Sequence, residues 1–143
     1  IDIRINVPQV TALELSHTAS QEGSSEVRKR VEAARQLQHR RYENLLGGKP
    51  VTNAECPPAL LERIAAPDQP GQKLLHEAAS VFGLSARGYH RTLRVARTLA
   101  DLDGLEKVHK EHIAEALALR GADGGLLGAR QSGREAGQVA LAG

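Results

Sequence analysis

Apolar and polar positions repeat with two different periods along this chain, and the change of period divides it. At the start, Ile1, Ile3, Ile5 and Val7 alternate with Asp2, Arg4 and Asn6, the pattern of a half-buried strand that Pro8 ends. No later segment has comparable strand character. A lone strand leaves its backbone groups unpaired, so residues 1–8 read as the edge of a sheet belonging to an upstream domain. Residues 9–23 turn polar and read as a linker, with a short helical turn at Ala12 to Ser16.

Beyond this linker the apolar spacing is helical. Ser24 or Ser25 is expected to cap a long helix with Glu26 in its first turn, burying Val27, Val31, Ala34, Leu37 and Leu45 and ending at Gly47 and Gly48. Pro57 and Pro58 start a short helix to about Ala65, with Leu60, Leu61 and Ile64 inward. The next runs from roughly Gly71 to Phe82 and buries Leu74, Leu75, Ala78, Ala79 and Phe82; Gly83 ends it. Ser85 caps a helix that Gly104 closes, and a last helix from about Lys110 to Arg120 turns Ile113, Ala116, Leu117 and Leu119 inward. Five helices with short connections predict a small all-α bundle over 24–120. Residues 121–143 are glycine-rich and aperiodic, the composition of a disordered tail.

Composition narrows the possibilities. The 143 residues suffice for one domain, and 41% hydrophobic content allows a real core. A net charge of +2 makes any basic character local, so bulk attraction to nucleic acid is not implied. Tyr42, Phe82 and Tyr89 are the only aromatic side chains, too few for a base-stacking groove. The single cysteine, Cys56, forms no disulfide within the chain and reads as a passive residue at a helix start. No apolar run approaches a membrane span and no signal peptide opens the chain, so a soluble cytoplasmic protein without membrane contact is expected.

Self-contained catalytic motifs are missing. Gly47-Gly48-Lys49-Pro50 fails the phosphate-loop pattern, because Glu43 stands at the first glycine position and Pro50 replaces the hydroxyl that would bind magnesium. His109 and His112 lie three apart at a helix start with no cysteine nearby and no HExxH frame, which favours capping or surface roles over metal ligation. No Ser, His and acid spacing marks a nucleophile.

The chemistry therefore concentrates in SARGYHRTLRVARTLADLDG, residues 85–104. Arg87, Arg91, Arg94 and Arg97 follow at i, i+4, i+7 and i+10 and read as one basic stripe, with Tyr89, Leu93, Ala96 and Ala100 on the opposite arc. Guanidinium suits phosphate because its planar fork donates in pairs and stays charged. Three fates are open to these arginines. They are solvated or paired with acids such as Glu77, Asp101 and Asp103; or they form a DNA-recognition helix after a turn at Gly83, making the bundle an autonomous DNA-binding module through Arg87, Arg91 and Arg94; or Arg87, in the first turn, meets a nucleotide's terminal phosphate across a domain boundary.

The run LSARGYHRTLRVARTLADLDG, with SSEVRKRVEAARQLQHRR before it and HIAEALALR after it, closely resembles the C-terminal region of YifB/ComM-type proteins, which are magnesium-chelatase-like AAA+ ATPases. The resemblance covers roughly residues 1–120. It implies that IDIRINVP is the strand following an arginine-finger motif and that the bundle is the lid of an AAA+ core lying upstream. The SAR triplet then looks like the second-sensor motif. That assigns Arg87 to the γ-phosphate of ATP, with Arg94 and then Arg91 as secondary candidates. By the same resemblance ATP and Mg2+ are bound mainly by the core. The partners are that core, neighbouring subunits of a ring, hexameric by family analogy, and DNA in a motor linked to natural transformation. Tyr89-His90-Arg91 fits this branch better than true chelatase subunits. No catalytic residue and no metal site is expected in the chain itself.

Overall fold

In the computed structural model, residues 2–5, 22–47 and 52–121 are described. They form five helices: α1 Ser24–Leu46, α2 Pro58–Ile64, α3 Gln69–Phe82, α4 Ala86–Leu102 and α5 Lys110–Leu119. The all-α expectation is met. The punctuation works as its chemistry requires. Gly47 and Gly83 take the left-handed backbone (φ 69° and 58°) that ends α1 and α3. Asp68 caps α3 by accepting from the Gly71 N–H, and Ser85 caps α4 by accepting from the Gly88 N–H at 3.1 Å.

α4 is the hub. It packs against α1, α2 and α5, while α5 also packs against α3. Leu93, Ala96 and Ala100 of α4 meet Leu61, Leu75, Ile113, Ala116 and Leu117 in one apolar core. The entries to α3 and α5 are tied together where the Asp68 N–H donates to the Val108 carbonyl at 2.9 Å. Because three helices cover it, α4 buries Gly88, Thr92, Leu93, Val95, Ala96, Arg97, Ala100 and Asp101.

Three expectations need correction. Residues 2–5 form no strand; they lie along the bundle, with the Arg4 N–H donating to the Leu119 carbonyl at 2.6 Å and Ile5 71% exposed. The cap of α1 is Gly23 rather than a serine, and the Glu26 carboxylate accepts from the Gly23 N–H at 3.1 Å. The buried face of α1 consists of Ala34, Gln38 and Tyr42, whereas Val27, Val31 and Leu45 are exposed. The covered stretch of α1 runs from Ala34 to Tyr42; Val27 precedes it, Leu45 follows it, and Val31 edges a cleft shared with Thr98 and Leu102 of α4. The expected helical turn at 12–16, the linker residues 9–21, the glycine at 48 and the tail from 122 onward lie outside the described residues.

Candidate functional site

α4 forms because a serine cap, a run of good helix formers and an apolar arc at helical spacing agree over four turns. The four arginines it carries do not share one fate. Arg97 is fully buried and is no part of an exposed stripe. Its Nε donates to Asp101 Oδ1 at 3.1 Å, Nη1 donates to the Glu106 carbonyl at 2.6 Å, and Nη2 donates to the Leu105 carbonyl. A guanidinium tolerates that depth because a carboxylate and several carbonyls replace its water.

Asp101 is the centre of this cluster. It also accepts from both Nη atoms of Arg41 on α1 and from Asn53 Nδ2 at 2.8 Å, and Asn53 Oδ1 in turn accepts from the Tyr42 hydroxyl at 2.7 Å. Burial pushes the Asp101 carboxyl up, but hydrogen bonds from Arg41 and Asn53 and the charges of Arg97 and Arg41 outweigh it and hold the group below the usual carboxylate range. Burial lowers Arg97 and the Asp101 charge opposes that shift; a guanidinium starts so high that it stays charged. The cluster is a structural tie among α1, the loop at Asn53 and α4, with no open coordination to offer a ligand.

Arg94 folds back on the protein. Its Nη2 donates to the Cys56 carbonyl at 3.1 Å, and its Nε is buried without a hydrogen-bond partner among the described residues. It lines a cleft of about 240 Å³ whose walls include Ile3, Val95, Leu99, Leu102 and Leu119, an apolar setting that suits an alkyl stem better than a phosphate. Arg91 pairs through Nε with Asp2 Oδ1 at 2.8 Å. Arg87 stands apart. It is exposed in the first turn of α4 and makes no side-chain hydrogen bond or ion pair among the described residues. Of the arginines spaced along α4, it alone keeps all its donors available within that set.

The remaining candidates have structural duties. Cys56 is buried, and burial pushes its thiol up, which favours the protonated form. His112 Nδ1 accepts from the His109 N–H at 2.9 Å and so caps α5, while its Nε2 faces Asp103 at 3.1 Å. His109 Nδ1 lies 3.0 Å from Asp68. Both histidines therefore serve helix ends. Sequence reasoning also missed Arg120, whose Nη1 donates to the Gly88 carbonyl at 3.0 Å beside Arg87; the glycine at 88 was the available signal. No helix among the described residues is long and apolar enough to cross a membrane.

Comparison with known proteins places this geometry. Residues 21–120 match the family described as magnesium chelatase, subunit ChlI C-terminal. The competence protein ComM of Haemophilus influenzae is 36% identical over 120 residues, which are 83% of this chain and 22% of that protein. YifB of Salmonella typhimurium is 31% identical over 123 residues, 85% of this chain and 23% of the relative. Rv2897c of Mycobacterium tuberculosis is 37% identical over 120 residues, 84% and 23% of the two chains. The chain thus spans under a quarter of the length of these relatives. With the matched region covering all five helices and the arginine-bearing α4, the chain belongs to the family of magnesium chelatase subunit ChlI C-terminal domains.

Proposed function

We propose that this bundle is the lid of a magnesium-chelatase-like AAA+ ATPase and that Arg87 contacts the terminal phosphate of ATP held by a core domain on the same polypeptide. The observation that carries the proposal is the contrast within α4: Arg97, Arg94 and Arg91 are engaged by protein groups, while Arg87 projects with its donors unclaimed among the described residues. Its place in a capped first turn adds the positive end of the helix dipole to its own charge. Both favour a polyanion.

ATP would find only part of a pocket here. Arg87 fits the phosphate by charge and exposure, and the core would bind the rest of the nucleotide together with Mg2+. A positive group at the γ-phosphate stabilises the charge that develops during transfer and links lid position to nucleotide state. In a ring of such subunits, proposed here as a hexamer, that link would pass motion to the neighbours and onward to a substrate such as DNA. The ComM relative is named for competence, which supports a DNA substrate at the level of analogy.

In the full-length protein, Arg87→Ala is expected to lower ATP turnover by about a hundredfold, the scale of losing one charge-stabilising donor, while circular dichroism shows an unchanged fold. Wild-type turnover would reject the assignment. The chain by itself is expected neither to hydrolyse ATP nor to bind duplex DNA tightly. Titration with labelled duplex at two salt concentrations checks the second point, because an autonomous DNA-binding module would show steeply salt-dependent affinity.

A further inference from the structure

Gly88 directly follows Arg87 and is buried in the first turn of α4. A helical glycine costs roughly 0.5–1 kcal/mol relative to alanine, so the position invites a reason. The reason is Arg120. A Cβ at Gly88 would come within 2.7 Å of Arg120 Nη2, 3.1 Å of Nη1 and 3.2 Å of Cζ, so the guanidinium occupies the space that a side chain would take. From there Nη1 donates to the Gly88 carbonyl at 3.0 Å, which also accepts from the Thr92 hydroxyl at 3.0 Å.

Arg120 follows the last residue of α5, and its backbone N–H still bonds back to Ala116. Its side chain therefore clamps the end of α5 to the beginning of α4. We infer that Arg120 is a positioning residue: through Gly88 it fixes the turn from which Arg87 projects. The inference rests on Arg87 being the phosphate contact. Without the clamp the first turn of α4 keeps only ties within its own helix, the Ser85 cap and the Thr92 hydroxyl on the Gly88 carbonyl, and Arg87 loses the link that fixes its origin against α5. Since misplacement by about an ångström can cost up to a hundredfold in rate, a side chain that only sets this turn has a measurable effect.

Three variants of the full-length protein test it by steady-state ATP turnover and thermal melting. Arg120→Ala should reduce kcat/KM for ATP by about tenfold. Gly88→Ala should do likewise by evicting the guanidinium, with a melting temperature equal to or above that of the wild type because alanine is the better helix former. In an Arg87→Ala background, Arg120→Ala should have no further effect, since its influence passes through Arg87. A purely structural role predicts the opposite: activity falling in step with melting temperature, and a loss that persists in the Arg87→Ala background. Either result overturns the inference, as does Gly88→Ala with full activity should Arg120→Ala fail to fold. If Arg87→Ala itself keeps wild-type turnover, the parent proposal fails; if Arg87→Ala is impaired and the Arg120 and Gly88 variants are not, only the clamp fails.

Discussion

Among the side chains, Arg97 and Asp101 carry the sharpest stability prediction. Their charges are fully buried and each satisfies the other, with Arg41 completing the cluster. Such a pair adds little over an apolar filling, yet breaking it strands a charge in a dry site. Arg97→Ala or Asp101→Asn should therefore cost about 3–5 kcal/mol in urea unfolding, whereas exposed Arg87→Ala should stay within about 0.5 kcal/mol. Equal losses at positions 87 and 97 would refute this division of labour. The pattern along α4 held a clue to it. At about 100° per residue Arg97 lies roughly 80° around the helix from Arg87, beside Leu93, and Asp101 sits one turn further on. Spacing alone could not show that the Leu105 and Glu106 carbonyls, beyond the helix, complete the site. That information is tertiary.

The end of α3 and the start of α4 were legible because they depend on single residues whose backbone chemistry is local. Ser85 and Gly83 do what a hydroxyl cap and a left-handed terminator do anywhere. Ser85→Ala should destabilise the domain by about 1 kcal/mol, a shift readable as a lower urea midpoint at unchanged slope. How much of α1 is buried was not legible. Val27, Val31, Ala34, Gln38, Tyr42 and Leu45 share one arc at about 100° per residue, yet burial is decided by how far the neighbouring helix runs along that arc, and only Ala34, Gln38 and Tyr42 are covered. Gln38 and Tyr42 are admitted by polar partners: Gln38 accepts from Arg35 at 3.4 Å and the Tyr42 hydroxyl meets Asn53. A consequence follows for dynamics. In the chain on its own, amide hydrogens of residues 28–33 should exchange faster than those of residues 38–46, since residues 28–33 are all exposed. Uniform protection along α1 would place a partner over Val27 and Val31.

Across the whole molecule, one ionised carboxylate joins elements distant in sequence: Asp101 on α4 receives Arg41 from α1, Asn53 from the loop that follows, and Arg97 from its own helix. Its pKa in the folded chain lies below that of the unfolded chain, near 3.9, so the stability it supplies is fully present above that value. It is lost as pH falls through the folded value. Asp68 is shifted the same way, first by the Gly71 N–H and then by His109, but its exposure makes its share small. Stability should hence be flat with respect to Asp101 from about pH 5 upward, and acid unfolding should set in below about pH 4. Asp101→Asn removes the titrating group along with the stability. Free energies of unfolding for that variant, compared with wild type from pH 6 to pH 3, should differ most at pH 6 and converge on acidification. A constant difference across that range would mean that Asp101 is not the group whose protonation opens the bundle.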